Sequence, residues 1–163
     1  MAGDPTVRAL RLLRNKYQPS MIFISETKID SERCKKLGRR YKLDGIFSVD
    51  SSNSAGGLCL LWNTELKVQI LQHSPHYIHA LIDHAILPAS WCITCVYGPP
   101  YAHLKHNFWY DLANLAVGIN CPRMLIGDFN EICSSNDKSG GKPFASSSRP
   151  YLDDFMSLSG CMF

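Results

Sequence analysis

The sequence of 163 residues contains no apolar run that approaches the roughly 18 residues a membrane-spanning helix requires. Its first residues, MAGDPTVRAL, lack the apolar centre of a secretory signal peptide. There is no internal repeat and no linker long enough to separate two domains. We therefore expect one domain inside the cell, in the nucleus or the cytoplasm, with no membrane partner.

Charged residues are also few, at 19% of the chain, and the formal net charge is only +3. Hydrophobic residues make up 45%, which is ordinary for a globular protein and excludes a disordered or fibrous class. The small positive charge permits an anionic partner without requiring one. A chain of this length is expected to bury roughly 70% of its unfolded surface in one core.

The seven cysteines are an odd number and are scattered through apolar segments, so we expect buried free thiols. The segment WCITC (91–95) has the tryptophan and the C-x-x-C spacing of a thioredoxin-like redox site. A redox C-x-x-C opens a helix, whereas Ile93 and Thr94 favour a strand, on which residues three apart point to opposite faces. The segment therefore predicts a β-strand and not a redox or zinc site.

Hydrophobic periodicity and turn residues predict the order of helices and strands. Helices are predicted at 5–17, from Asp30 or Ser31 to Leu37, at 103–118 and at 149–160. Strands are predicted at 20–25, 45–50, 56–62, 66–72, 77–83, 90–97 and 123–127. The five strands between 45 and 97 are expected to be antiparallel neighbours. This order favours α+β or layered α/β architecture with sheets at the centre and helices outside.

Polar side chains follow three of these strands at the point where each strand ends. They are Glu26, Tyr97, and Asp128 with Asn130. Ligands tend to collect beyond strand ends, and carboxylate and amide oxygens suit a hard cation such as Mg²⁺. The alternative is that Asp128 and Asn130 only hold a turn together through bonds to the backbone. From the residues alone, both interpretations stay open.

Four segments then occur in a characteristic order and spacing: IFISETK (22–28), SAGGLCLLW (54–62), CVYGPP (95–100) and LIGDFNEI (125–132). Together they resemble the endonuclease/exonuclease/phosphatase superfamily. The greatest likeness is to the apurinic-type endonuclease domain of plant LINE-type retrotransposons. The segments NEICSSNDKSGG and RPYLDDFMSLSGC also have counterparts there, so the resemblance covers nearly the whole chain.

The resemblance implies a four-layered α/β sandwich that hydrolyses phosphodiester bonds in DNA with Mg²⁺ or Mn²⁺ and no small-molecule cofactor. Glu26 matches the family's metal-binding glutamate, and Tyr97 matches the tyrosine beside the scissile phosphate. Asp128 matches the aspartate that positions or deprotonates the attacking water. Asn130 matches the amide that binds a phosphate oxygen. These residue types suit the reaction, because its transition state gathers negative charge that a cation and aimed donors stabilise.

The chain departs from the family pattern at both ends. The family's first strand carries a Trp-Asn motif whose asparagine helps to hold the metal, and no such motif precedes the first predicted helix. A closing Ser-Asp-His motif is not found before Phe163. We therefore expect an incomplete sandwich that lacks its first strand and its C-terminal strands, with impaired metal binding and weak or no activity. Exposed sheet edges would then favour self-association.

Basic residues are the remaining signal for nucleic acid. They cluster in RCKKLGRRYK (33–42) and at Arg8, Arg11 and Arg14, a pattern typical of solvated helix faces. Lys138 and Lys142 lie in a Gly/Ser-rich segment, and the resemblance makes them candidates for contacts to DNA phosphates.

Two other functions are alternatives to a nuclease. The chain could be a non-catalytic, retroelement-derived relic that binds nucleic acid or protein. A phosphomonoesterase or lipid phosphodiesterase of the same superfamily is the other alternative, and no phosphoinositide or sphingolipid motif supports it.

Overall fold

A computed structural model describes residues 5–28, 30–50, 56–131, 140 and 151–160. In chain order its elements are α1 (Pro5–Tyr17), β1 (Met21–Ser25), α2 (Ser31–Tyr41), β2 (Gly45–Val49), β3 (Leu58–Trp62), β4 (Leu66–Ser74), β5 (Tyr77–His84), β6 (Trp91–Tyr97), α3 (Ala102–Ala116), β7 (Arg123–Asp128) and α4 (Tyr151–Ser159). Sheet I has the strand order β1-β3-β2, and sheet II has the order β4-β5-β6-β7. Among the helices described, none has the length and hydropathy needed to cross a bilayer.

Helix α2 begins where the sequence predicts and ends later. The Asp30 carboxylate caps it by accepting a 2.8 Å hydrogen bond from the backbone N–H of Arg33. The predicted end at Leu37 is wrong, because the helix continues to Tyr41. Gly38 stays helical and packs closely on β2, where an added Cβ would lie 2.7 Å from Ile46 Cδ1. Helix α2 is capped at its C-terminal end by Lys42, which adopts a left-handed conformation with φ of 56°.

Strand β3 explains how sheet I is built. It lies between β1 and β2 and pairs with both in antiparallel register. Leu58 and Leu60 face sheet II, while Cys59 and Leu61 face the side covered by α1 and α2. Because both faces are covered, the strand is apolar at every position from 58 to 61 instead of alternating.

The two sheets pack face to face, and helices α3 and α4 cover the other side of sheet II. The core between the sheets is formed by Leu58, Leu60, Ile78, Ala80, Ile82, Ile93 and Cys95. The core beneath α3 and α4 is formed by Tyr77, Val96, Phe108, Trp109, Leu112, Leu152 and Phe155. The layers are therefore helix, sheet, sheet and helix, which confirms the predicted four-layered α/β sandwich.

Strand β6 confirms the interpretation of the C-x-x-C segment as a strand. Cys95 lies in the core between the sheets, and Cys92 points to the opposite face, where its Sγ is 3.4 Å from that of Cys121. All five cysteines in the described part of the chain are free thiols; Cys133 and Cys161 lie outside it.

The expected run of antiparallel neighbours is correct within each sheet and wrong between β3 and β4. After β3, a turn closed by a bond from Leu66 N–H to the Asn63 carbonyl carries the chain into the other sheet. The free side of β3 is taken by β1, which lies more than thirty residues earlier in the chain. Beyond β6, α3 crosses over and returns the chain as β7, which pairs with β6 in parallel.

The edge strands β1 and β7 lie beside an open cleft in the part of the chain that the structure describes. Strand β1 pairs there only with β3, and β7 only with β6. On β7 the side chains of Met124 and Ile126 are 50% and 48% exposed, although their partners Ile93 and Cys95 on β6 are buried. An apolar cleft of about 300 Å³ therefore opens between the sheets, with Phe23 on one wall and Ile126 on the other.

Candidate active site

Three strands end at the same edge of the sandwich. Strand β1 ends at Ser25 and delivers Glu26, while β6 ends at Tyr97 and β7 at Asp128. The parallel register places Tyr97 directly beside Asp128. The three polar residues that the sequence places after separate strands are thus brought to one edge.

A direct contact joins this edge across the two sheets. The Tyr97 phenol donates a hydrogen bond of 2.5 Å to Glu26 Oε1. Glu26 has a φ of 52°, a conformation that is uncommon for a residue with a side chain. The turn that contains Glu26 is hydrogen-bonded to the glycine segment before β3. The backbone N–H groups of Thr27 and Lys28 donate hydrogen bonds of 3.2 Å to the carbonyls of Gly57 and Gly56, respectively.

The pKa of Tyr97 reflects the negative charge at this edge. Its hydrogen bond to Glu26 is the largest of several influences that raise the pKa of the phenol to about 12. Burial and the negative charges of Glu26 and Asp128 act in the same direction, and a hydrogen bond with Asn130 opposes them. The hydrogen bond and charge of Glu26 and the charge of Asp128 therefore hold the pKa of this phenol above its ordinary value of 10.

Asp128 and Asn130 also hold a turn. Asp128 Oδ1 accepts a 2.9 Å bond from the Asn130 backbone N–H, and Asn130 Nδ2 donates a 2.7 Å bond to the Gly98 carbonyl. The turn interpretation is therefore correct as far as these atoms go. The Asp128 carboxylate keeps a second oxygen for a further partner, whereas the Asn130 amide is also bonded to the Tyr97 phenol.

Glycines let the strand ends approach this closely. Gly127 has a φ of 141°, and a Cβ there would lie 1.9 Å from the Val96 carbonyl oxygen. A Cβ at Gly98 would lie 2.1 Å from the Phe129 carbonyl oxygen. Only glycine fits at these two positions without moving the backbone on which Tyr97 and Asp128 are placed.

A second set of residues supports the turn, and the sequence did not indicate it. Lys105, on α3, donates a 2.6 Å bond to the Asn130 carbonyl and lies 3.2 Å from Glu131 Oε2. Trp109 Nε1 donates to the same carboxylate oxygen at 3.3 Å, and its ring stacks on Phe129 at 6.0 Å. An isolated lysine on an amphipathic helix carries no sequence signal for such a role.

The donor set fits a hard divalent cation. Glu26 and Asp128 supply carboxylate oxygens in a negative environment, and Mg²⁺ commonly uses only one or two protein carboxylates together with waters. In the described part of the chain, no cluster of three or more His, Cys, Asp or Glu side chains could hold a metal by itself. The oxygen chemistry of the edge therefore suits magnesium or manganese better than zinc.

The remaining predicted site residues, Lys138 and Lys142, lie outside the described residues.

Comparison with known proteins identifies the class. The chain belongs to the Endonuclease/Exonuclease/phosphatase family, whose sequence model matches residues 2–159. No curated protein sequence matches the chain. A conserved protein of unknown function from Enterococcus faecalis aligns in structure over 76% of this chain and 57% of its own, with 16% identity and a TM-score of 0.55.

Two further solved structures carry names that describe a function. The human Nocturnin catalytic domain, solved with a sulfate anion, aligns over 78% of this chain and 58% of its own, with 16% identity and a TM-score of 0.52. The Neisseria 3′ phosphatase NExo, bound to a product DNA hairpin, aligns over 78% of this chain and 54% of its own, with 12% identity and a TM-score of 0.51. The chain thus spans little more than half the length of these proteins, and identities this low show a shared fold.

Proposed function

We propose that this chain is an endonuclease-like, divalent-metal-dependent phosphodiester hydrolase domain that acts on DNA. The observation that carries the proposal is the hydrogen bond between Tyr97 and Glu26, with Asp128 beside Tyr97 in the parallel register. It brings two carboxylates, a protonated phenol and an amide to one exposed edge of a fold that belongs to a family of nucleases and phosphatases. The four-segment resemblance further supports a LINE-type retrotransposon origin.

Glu26 would hold the metal, with its Oε1 oriented by the Tyr97 phenol. A bound Mg²⁺ or Mn²⁺ would supply Lewis-acid stabilisation of the charge that develops on the phosphate. Glu26 is exposed and follows a rigid strand, so a phosphate can reach its carboxylate from solvent.

The other three residues would act on the phosphate and the water. Tyr97, whose ordinary pKa of about 10 already leaves it protonated at neutral pH, would act as a donor near the phosphate. The exposed Asp128 carboxylate would position the attacking water and accept its proton. Asn130 would turn the amide hydrogen that now meets the Tyr97 phenol toward a phosphate oxygen, while the bond to the Gly98 carbonyl fixes the other hydrogen. Lys138 and Lys142 are proposed contacts to neighbouring DNA phosphates.

Activity of this chain by itself is proposed to be weak or absent. The proposal is supported by the lack of the Trp-Asn and Ser-Asp-His motifs in this sequence, which spans little more than half of the matched structures. Loss of a positioned acid–base group lowers a rate by about 10²–10⁴, and loss of a charge stabiliser lowers it about as much.

A non-catalytic binding module is the second candidate. Asp128 Oδ1 and Asn130 Nδ2 both bond the local backbone, which these residues would also do if their only task were to hold the turn.

Nicking of supercoiled and abasic DNA, together with a Mg²⁺ titration, tests the enzyme against the binding module. The parent, Glu26→Gln and Asp128→Asn are compared, with Glu32→Gln and Asp111→Asn as exposed controls of the same chemistry away from the edge. The proposal expects weaker Mg²⁺ binding in the two site variants and a loss of any nicking by about 100-fold or more. Unchanged Mg²⁺ affinity and nicking in both site variants would leave only the binding module.

A further inference from the structure

We propose that the groove between α1 and the C-terminal end of α2 binds the phosphate backbone of a nucleic acid strand. This groove has a volume of about 720 Å³. It is lined by Val7, Arg8, Arg11, Arg14, Asn15, Gln18, Arg40, Tyr41 and Lys42. Five of these nine residues are cationic, two more carry amides, and none is acidic.

The cations lie on both walls of the groove. Arg8, Arg11 and Arg14 recur at a spacing of three residues on α1, so they follow one face of that helix. Arg40 and Lys42 come from the end of α2 on the other side. A strand lying in the groove would therefore meet positive charge from two directions, and the repeating charge of a phosphate backbone matches a row of cations.

Helix electrostatics explain only part of this arrangement. Arg40 and Lys42 are at the C-terminus of α2, where positive charge is favourable to the helix dipole. Arg8 and Arg11 are in the first half of α1, whose first turn contains no acidic residue. Positive charge there is not favoured by the dipole, so the dipole does not account for these two arginines.

Among the described residues, the groove cations also have no acidic partners. The two ion pairs in this part of the chain join Lys35 to Glu32 and Lys105 to Glu131, and neither involves the groove.

The groove walls are nevertheless fixed relative to each other. Arg14 Nε donates a 3.3 Å bond to the Tyr41 carbonyl, and the Tyr41 phenol donates a 3.2 Å bond to the Val7 carbonyl. Like charges are thus held close together in a preformed site, and a bound polyanion would relieve their repulsion.

The groove is separate from the candidate active site. Strand β1 starts at Met21, opposite Trp62, and ends at Ser25 before Glu26. Gly45, which follows α2 closely, also pairs with Trp62. The end of α2 is therefore at the opposite end of sheet I from Glu26, and the inference goes beyond the proposed function.

The concave shape favours a nucleic acid strand over a membrane. A strand that lies between the two walls meets cations on both sides, whereas a flat lipid surface meets them only from above. A helix that binds a membrane inserts apolar side chains while its cations contact the lipid headgroups. The exposed apolar residues of α1, which are Leu12, Leu13 and Tyr17, lie outside the groove lining. An experiment with both kinds of surface separates the two.

Fluorescence anisotropy with a short labelled DNA, in EDTA and over a range of salt concentrations, tests the groove without any contribution from metal or catalysis. The groove variant replaces Arg8, Arg11 and Arg40 by Gln, and a second variant replaces Arg40 and Lys42 by Gln. The control replaces Lys16, Lys35 and Lys67 by Gln, which gives the same charge change as the first variant at exposed positions outside the groove. Thermal melting of each variant establishes that it is folded.

With a single-stranded DNA, we expect the first variant to bind about 10-fold or more weakly. The slope of log K against log salt concentration should fall in magnitude by about 0.7 for each phosphate that the protein no longer neutralises. The second variant should also bind more weakly, and the control should bind nearly as the parent does. Equal weakening in groove variant and control would overturn the proposal, as would tighter, groove-dependent binding to phosphatidylserine vesicles than to DNA. This experiment is done in EDTA and reads binding by the groove, whereas the catalytic proposal is read by Mg²⁺ affinity and nicking in Glu26→Gln and Asp128→Asn, so failure of the catalytic proposal and failure of the groove give different results.

Discussion

Tyr97 and Glu26 lie 71 residues apart in sequence and at the ends of strands in different sheets, yet the phenol of one donates a 2.5 Å hydrogen bond to the carboxylate of the other. This bond is the direct side-chain link between β1 and β6 at the edge that also holds Asp128. The position of a candidate metal ligand in sheet I is thereby tied to the candidate catalytic residues of sheet II.

Tyr97 should titrate at a pH of about 12, as measured by the absorbance difference between the parent and Tyr97→Phe. The folded-state pKa lies above the ordinary 10, so this group stabilises the fold fully below about pH 10, and the contribution is lost as the pH rises through 12. Glu26→Gln should lower the pKa, because the carboxylate is the main cause of the shift. An identical Tyr97 titration in parent and Glu26→Gln would contradict this account.

Gly127→Ala should destabilise the fold strongly. The new Cβ would clash with the Val96 carbonyl, and the φ of 141° is unfavourable for alanine. We expect a loss of about 2–4 kcal/mol in the free energy of unfolding, measured by urea denaturation. Gly118→Ala is the matched control: its φ is also positive, at 81°, but nothing lies within 4 Å, so only about 1–2 kcal/mol of backbone strain is expected. Equal losses in the two variants would show that the contact with Val96 does not matter.

Lys105→Met should loosen the turn that carries Asn130. Lys105 and Glu131 have side chains only 15% and 12% exposed, so the substitution leaves a partly buried carboxylate without its cation. We expect a loss of about 1–3 kcal/mol in unfolding free energy, measured by urea denaturation. Lys35→Met breaks a pair that is 49% and 66% exposed and should cost less than about 1 kcal/mol. The prediction fails if the two variants are equally stable.

His79 should make the protein less stable in mild acid. Its ring is buried and bonds the Thr94 hydroxyl at 2.9 Å, and burial, followed by the charge of Arg123, lowers its pKa below 6.5. Because the pKa of His79 is lower in the folded state, the neutral ring contributes to the free energy of unfolding above about pH 6.5. This contribution is lost as the pH falls through the folded-state pKa. Urea denaturation at a series of pH values should show that the free energy of unfolding falls less in acid for His79→Gln than for the parent. His84→Gln, on the same strand, is the matched substitution with which this change is compared.

The open edge at β7 should support self-association. Sedimentation should show species larger than a monomer that increase with concentration, because Ile126 and Met124 are half exposed on a strand that, among the described residues, pairs only with β6. Ile126→Lys should shift the chain toward monomer, whereas Ile86→Lys, at a fully solvated turn position, should not. A parent chain that is monomeric at every concentration and melts cooperatively would reject this prediction.

Local patterns predicted the helices and strands well, and for identifiable reasons. Pro5 and Pro19 bracket α1, Asp30 caps α2, and the continuous apolar run of β3 reflects cover on both faces. Local patterns do not predict the end of α2. Gly38 lies inside the helix because it packs closely against Ile46, and this contact between separate elements leaves no mark in the local sequence.

The residue types of the candidate site could likewise be found from sequence, since Glu26, Tyr97 and Asp128 each follow an apolar strand. Lys105 and Glu131 could not, because they meet only when α3 packs beside β7. The basic residues of α1 and α2 were visible as two runs, and the groove between them was not.

The sequence by itself determined which segments are helix or strand, which faces are apolar, and which polar residues stand at strand ends, since these depend on neighbours a few positions away. Only the tertiary structure decided that β3 and β4 part into different sheets, that β7 returns parallel to β6, and that Tyr97 reaches Glu26. Those arrangements arise from burying apolar faces contributed by distant segments, so their free energy belongs to the packed chain and not to any short stretch of it.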